Sequence, residues 1–104
     1  MIRITVLYPN KPGAKFNYAY YANQHMKMEN EKFGPMGLVT SEIDKGIGGM
    51  GAGAQPPYVA IGHLVFNSIE DFQKAHAAHG GDLAADIPNF TNIEPQFQIS
   101  EIVA

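Results

Sequence analysis

Tyr58-Val59-Ala60-Ile61-Gly62-His63-Leu64-Val65-Phe66, followed one residue later by Ser68-Ile69-Glu70-Asp71, is the stretch on which the fold turns. Its first nine residues are rich in β-branched and aromatic side chains, which pack well on a pleated surface, so they read as a central strand. Ser68 then has the form of a helix N-cap, with Asp71 where a capping box usually carries Glu or Gln. Behind it Ile69, Phe72, His76 and His79 fall at i, i+3, i+7 and i+10, so the apolar side of this helix also carries histidines. Gly80-Gly81 predicts its end, and Asp82 to Ile87 a short extra turn before Pro88.

Working outward, Ile2 to Tyr8 alternates, with Ile2, Ile4, Val6 and Tyr8 on one face. That period of two predicts a half-buried strand, closed by the turn residues Pro9 to Gly13. From Asn17, a suitable N-cap, to about Lys32 the period becomes helical, and Tyr18, Tyr21, Ala22, His25 and Met28 share one face. Gly34-Pro35 stops this helix, because the residue before proline is pushed out of the α region. Leu38 to Lys45 reads as a strand, Gly46 to Pro57 as a glycine-rich loop, and Gln96 to Val103 as a last strand. The order β-α-β-β-α-β is the split pattern of ferredoxin-like α+β folds. It predicts a four-stranded antiparallel sheet with both helices on one face. Apolar side chains are then expected on the other face, with nothing from the same chain to cover them, a problem that a homodimer stacking sheet on sheet solves.

Composition narrows the function. At 104 residues the chain fits one domain, residues 1–104. Seven Lys+Arg against ten Asp+Glu give a formal charge of −3 with no basic cluster, so no nucleic-acid or acidic-membrane surface is expected. Apolar runs are only a few residues long, far short of the ~20 that a membrane span needs, and the opening residues lack the apolar segment of a secretion signal. With no cysteine there is no disulfide frame, thiol nucleophile or thiolate metal site. A soluble, cytoplasmic domain is expected. Charged residues reach only 16%, where about 25% is usual, which points to self-association.

Gly46-Ile47-Gly48-Gly49-Met50-Gly51 spells G-x-G-x-x-G, but no helix opens behind it, and the fingerprint needs one to face a pyrophosphate. A loop near a pocket is the better reading. His25 stands in the aromatic face of the first helix, where leucine would pack better. It is either a core histidine bonded to a carbonyl or tyrosine, or an acid–base group aimed at a pocket between helices and sheet. Apolar surroundings would keep its imidazole neutral. Tyr18 and Tyr21 share its face and Tyr20 points to the flank. His63 faces with Val59, Ile61 and Val65, toward either the helices or a dimer interface. His76 and His79 have the spacing of a chelating pair. A metal site needs a third ligand, and no spacing ties in His25, Asp82 or Asp86. His76, His79 and Asp86 are better read as polar groups at the pocket mouth, with no metal or cofactor.

Phe16-Asn17-Tyr18-Ala19-Tyr20-Tyr21-Ala22-Asn23-Gln24-His25-Met26 resembles the aromatic helix of the EthD family, named for ethyl tert-butyl ether degradation. Tyr58 to Leu64 with Phe66 and Phe72, and Asp86-Ile87-Pro88-Asn89-Phe90-Thr91-Asn92, resemble its second and third signatures. The resemblance spans nearly the whole chain. It implies a dimeric α+β barrel and kinship with small barrels that act on aromatic or polyketide-like compounds without metal or organic cofactor.

Two classes of function fit these residues. In the first, a homodimeric barrel binds a small apolar or aromatic molecule and performs cofactor-free acid–base or oxygenase-type chemistry in a degradation or secondary-metabolite pathway. His25 is then the general base or hydrogen-bond anchor and Tyr21 the orienting group. Tyr18, His63, His76, His79, Asp86 and Phe90 are the expected ligand contacts. In the second, the chain is a non-catalytic carrier or accessory protein.

Overall fold

The computed structural model describes residues 1–104. Strands β1 (Ile2–Pro9), β2 (Leu38–Lys45), β3 (Tyr58–Phe66) and β4 (Gln96–Glu101) form one antiparallel sheet in the order β2-β3-β1-β4. Helix α1 is composite: an α-turn Tyr18–Tyr20, a π-helical turn Tyr21–His25, and an α-helix Met26–Phe33. Helix α2 is Ile69–Asp86. This is the ferredoxin-like α+β order read from the sequence.

Alternation decides what faces the helices. β1 sends Ile4, Val6 and Tyr8 inward and β3 sends Ala60, Leu64 and Phe66, where they meet Tyr21, Met26 and Phe33 of α1 and Ala75 and Leu83 of α2. Burying each larger side chain is worth about 1.5–3 kcal/mol, enough to hold α1 in a geometry that its own propensity does not favour.

Three expectations need correction. The sheet face away from the helices is apolar only at its centre, where Leu7, Val59, Ile61 and Val65 lie. Around them stand Arg3, Thr5, Thr40, Glu42, Asp44, Gln98 and Ser100. Much of this polar border comes from β2 and β4, edge strands on which polar side chains discourage unwanted pairing. Uncovered apolar residues of the sheet include Phe97 and Ile99 of β4, on the helix side, 65% and 52% exposed, and Val39 of β2, 48% exposed.

Gly80-Gly81 does not end α2, which runs on to Asp86. Neither glycine takes a positive φ. Gly80 is buried where a Cβ would meet the exposed His76 ring, so a side chain here would displace that ring. An interior glycine costs about 1 kcal/mol relative to alanine, which burial of Leu83 beyond it offsets. The Ser68 cap forms, its Oγ accepting from the Asp71 N–H at 3.1 Å. The Asp71 side chain, however, packs against Gly37, whose φ of +101° and crowded Cα both require glycine. Thirdly, β4 ends at Glu101 and not at Val103.

Candidate functional site: a doubly clamped histidine beside an apolar cavity

The site begins with the π-helical turn. Asn17 caps α1, its side-chain oxygen accepting from the Tyr20 N–H at 3.0 Å. At the far end of the turn the Met26 N–H donates to the Tyr21 carbonyl, five residues back. This wider turn changes which side chains share a direction. Tyr20 and His25, five apart, converge on one carboxylate: the Tyr20 hydroxyl donates to Asp86 Oδ1 at 2.6 Å and His25 Nδ1 lies 2.9 Å from Asp86 Oδ2. Tyr18, by contrast, turns to the sheet, donating to the Val59 carbonyl at 2.8 Å, with Lys45 Nζ 4.8 Å from its ring centre. Regular helical spacing predicts the reverse for Tyr18 and Tyr20, and the wider turn is the reason for the difference.

Asp86 is carried to this point by the unbroken α2, and the chain after it is stitched to the approach to α1. The Asn17 N–H donates to the Phe90 carbonyl at 2.8 Å, Thr91 Oγ1 to the Lys15 carbonyl at 2.6 Å, and the Lys15 N–H to Asn92 Oδ1 at 2.8 Å. Asn89 adds a third hydrogen bond to Asp86, at 3.0 Å. The Phe90 ring sits 4.9 Å from that of His25 and 4.9 Å from that of Tyr21. Residues 86–92 therefore fix the orientation of the imidazole.

His25 is only 4% exposed and lies between two carboxylates, with Nε2 3.2 Å from Glu29 Oε1. Burial by itself would lower its pKa. The hydrogen bonds and negative charges of Glu29 and Asp86 outweigh that effect and hold it above the ordinary 6.5. The neutral imidazole expected from apolar surroundings is thus corrected: both ring nitrogens face carboxylate oxygens, the arrangement of an imidazolium. Asp86 shows the complement. Burial would raise its pKa, but hydrogen bonds from Tyr20, Asn89 and His25, with the His25 charge, pull it below the ordinary value. Burial, helped by the mutual influence of Tyr21 and Tyr8 and by the Glu29 charge, pushes the Tyr21 phenol far above its usual range.

His25 borders a cavity of about 120 Å³ between helices and sheet. An apolar cavity of about 150 Å³ is known to hold benzene, so the space suits a single small ring. Ile4, Val6, Phe33, Leu64 and Leu83 supply much of its apolar wall, and Tyr8, Tyr21, His25, Glu29 and His76 also border it. Of the sequence candidates, the structure brings His25, Tyr21 and His76 to this cavity. Asp86 and Phe90 stand against His25 without lining it. Tyr18 and His79 do not line it. His63 lies on the other face of the sheet, its Nε2 2.8 Å from Asp44 Oδ2. No three His, Asp or Glu side chains converge as a metal site would need. Glu29, Tyr20 and Tyr8 were missed. For Glu29 the signal was its place four residues beyond an inward histidine.

A four-stranded antiparallel sheet with both helices on one face defines the ferredoxin-like α+β fold. The EthD domain model matches residues 14–94, and the chain belongs to the EthD family. It is similar to an EthD-like protein of Ralstonia eutropha JMP134, with 38% identity over 99% of this chain and 92% of that one, at a TM-score of 0.93. An ethyl tert-butyl ether degradation family protein of Bacillus halodurans C-125 is 18% identical over 99% of both chains, with a TM-score of 0.74. A dimeric ferredoxin-like protein from an uncultured marine organism shares the fold at 13% identity, covering 100% of this chain and 96% of that one, with a TM-score of 0.57. No curated protein matches the chain. No helix is long and apolar enough to cross a membrane.

Proposed function

We propose that this EthD-family chain works in the cytoplasm as a homodimer, binding a small apolar or aromatic molecule in the cavity between helices and sheet and moving a proton on it without a cofactor. The observation that carries this reading is the His25–Glu29 pair, buried together at the wall of an otherwise largely apolar cavity. Asp86 fixes Nδ1, so the proton at Nε2 is the one that exchanges with Glu29. A proton taken from or returned to a bound molecule travels along this pair. Low local polarity strengthens such transfers, and general acid–base help of this kind is worth about 10²–10⁴-fold. Tyr21, held protonated, orients by contact or by donating a hydrogen bond. Dimerisation is supported by the exposed Phe97 and Ile99 on β4 and by the apolar centre of the open sheet face.

Titration of small aromatic and keto compounds against the wild type and His25→Ala, with product analysis across pH, tests the reading. It expects turnover in the wild type, an ionisation above the ordinary histidine value, and a loss of at least a hundredfold in the variant. Tight binding with no turnover at any pH would make the chain a carrier. Equal binding by both proteins, with no ligand reaching His25, would remove the site assignment.

A further inference from the structure

We propose that Glu29 is the residue that selects the ligand, and that the ligand is a neutral, hydroxyl-bearing molecule of about one ring, a phenol or enol, whose O–H donates to Glu29 Oε2. This inference deepens the proposed function and rests on its cavity. Glu29 is 4% exposed, and Oε1 is engaged by His25 Nε2 at 3.2 Å. Oε2 is the single enclosed side-chain polar atom without a hydrogen-bond partner, while Glu29 as a residue lines the cavity, so a small turn of the carboxylate is what brings Oε2 to a ligand. A buried acceptor left unpaired, the more so one that carries charge, is normally selected against, so an orphan of this kind requires an explanation. A hydroxyl donated by a bound molecule supplies one.

The surroundings restrict what that molecule is. The groups facing Glu29 and its histidine are Tyr8, Tyr21 and, behind His25, Asp86 with Tyr20. One imidazole stands between two carboxyl groups, and no Lys or Arg lines the cavity to pair with an anion. A carboxylate ligand is therefore disfavoured. An ammonium is attracted but brings three donors to one free acceptor, and the apolar wall of Ile4, Val6, Phe33, Leu64 and Leu83 leaves the other two unpaired. A hydroxyl brings one donor to one acceptor and lets an apolar ring fill the rest.

Phenol and toluene differ by little more than O–H for CH₃, which makes them a direct probe. Dissociation constants for phenol, toluene, benzoate and benzylammonium with the full-length chain are measured by calorimetry and ligand-observed NMR. The proposal expects phenol to bind the wild type about tenfold or more tightly than toluene, the scale of a hydrogen bond to a charged group, with benzoate weakest. In Glu29→Gln the amide can accept from His25 and turn its NH₂ to the cavity. The phenol preference should then fall below about threefold, with an unchanged circular dichroism spectrum. The wild-type ratio stands as a test even if the variant fails to fold. Equal binding of phenol and toluene, or stronger binding of benzylammonium, overturns the role of Glu29 and leaves the apolar cavity standing. Failure of all four compounds to bind overturns the proposed function itself, and this inference with it.

Discussion

Two histidine–aspartate pairs of nearly equal length lie on opposite sides of the sheet. His25–Asp86 measures 2.9 Å and His63–Asp44 2.8 Å. The first is buried under α1 and α2, and Asp86 takes two further hydrogen bonds, from Tyr20 and Asn89. In the second, the Asp44 side chain is 61% exposed on the open face. Distance alone would rank them alike. The environment separates them, because water screens and competes for the exposed pair while nothing replaces a lost partner in the buried one. The same contrast separates a candidate site from a solvated pair on an open face.

The largest expected effect breaks the buried pair. Asp86→Ala removes three hydrogen bonds and leaves His25 with Glu29 alone, and should cost about 3–5 kcal/mol in urea unfolding. A loss below about 1 kcal/mol would put the two pairs in one class.

A second, smaller effect sharpens the contrast by pH. His25 is raised in the folded chain above its ordinary 6.5, so its stabilisation is complete below that value and is lost as pH rises through the folded one. Asp86 is lowered from 3.8, so its contribution is present above that value and fades as pH falls through the folded one. Stability should peak between these limits, and His25→Gln should flatten the alkaline side of the urea-midpoint profile. An alkaline limb unchanged in the variant would assign it to another group.

Gly80→Ala probes the cavity edge. Alanine gains up to about 1 kcal/mol of helix propensity, while its Cβ displaces the exposed His76 ring. Stability should hold within about 1 kcal/mol as binding of a small ring weakens, measured by thermal unfolding and calorimetry on the same samples. The smallest effect falls on the exposed pair: Asp44→Ala should cost at most about 1 kcal/mol in urea.

The strands were legible because alternation in Ile2 to Tyr8 and Tyr58 to Phe66 is a local signal that tertiary contacts only reinforce. The inward direction of His25 was legible for the same reason. Its chemistry was not. Asp86 stands 61 residues from His25, beyond any spacing rule, and the glycine pair that hid the continuity of α2 also hid the helix that delivers it. The π-helical turn has no mark in composition, so Tyr18 and Tyr20 exchanged directions. Glu29 lies in Lys27-Met28-Glu29-Asn30-Glu31, a run that reads as a solvated helix face. Only its place one turn beyond His25 distinguishes it from Glu31.

The central claim is that His25 is held as an imidazolium between two carboxylates at the cavity wall. Nitrogen-15 NMR of the histidine rings across pH tests it most directly. The midpoint of His25 should lie above 6.5, with both ring nitrogens protonated below it. A midpoint at or below the ordinary value would contradict it.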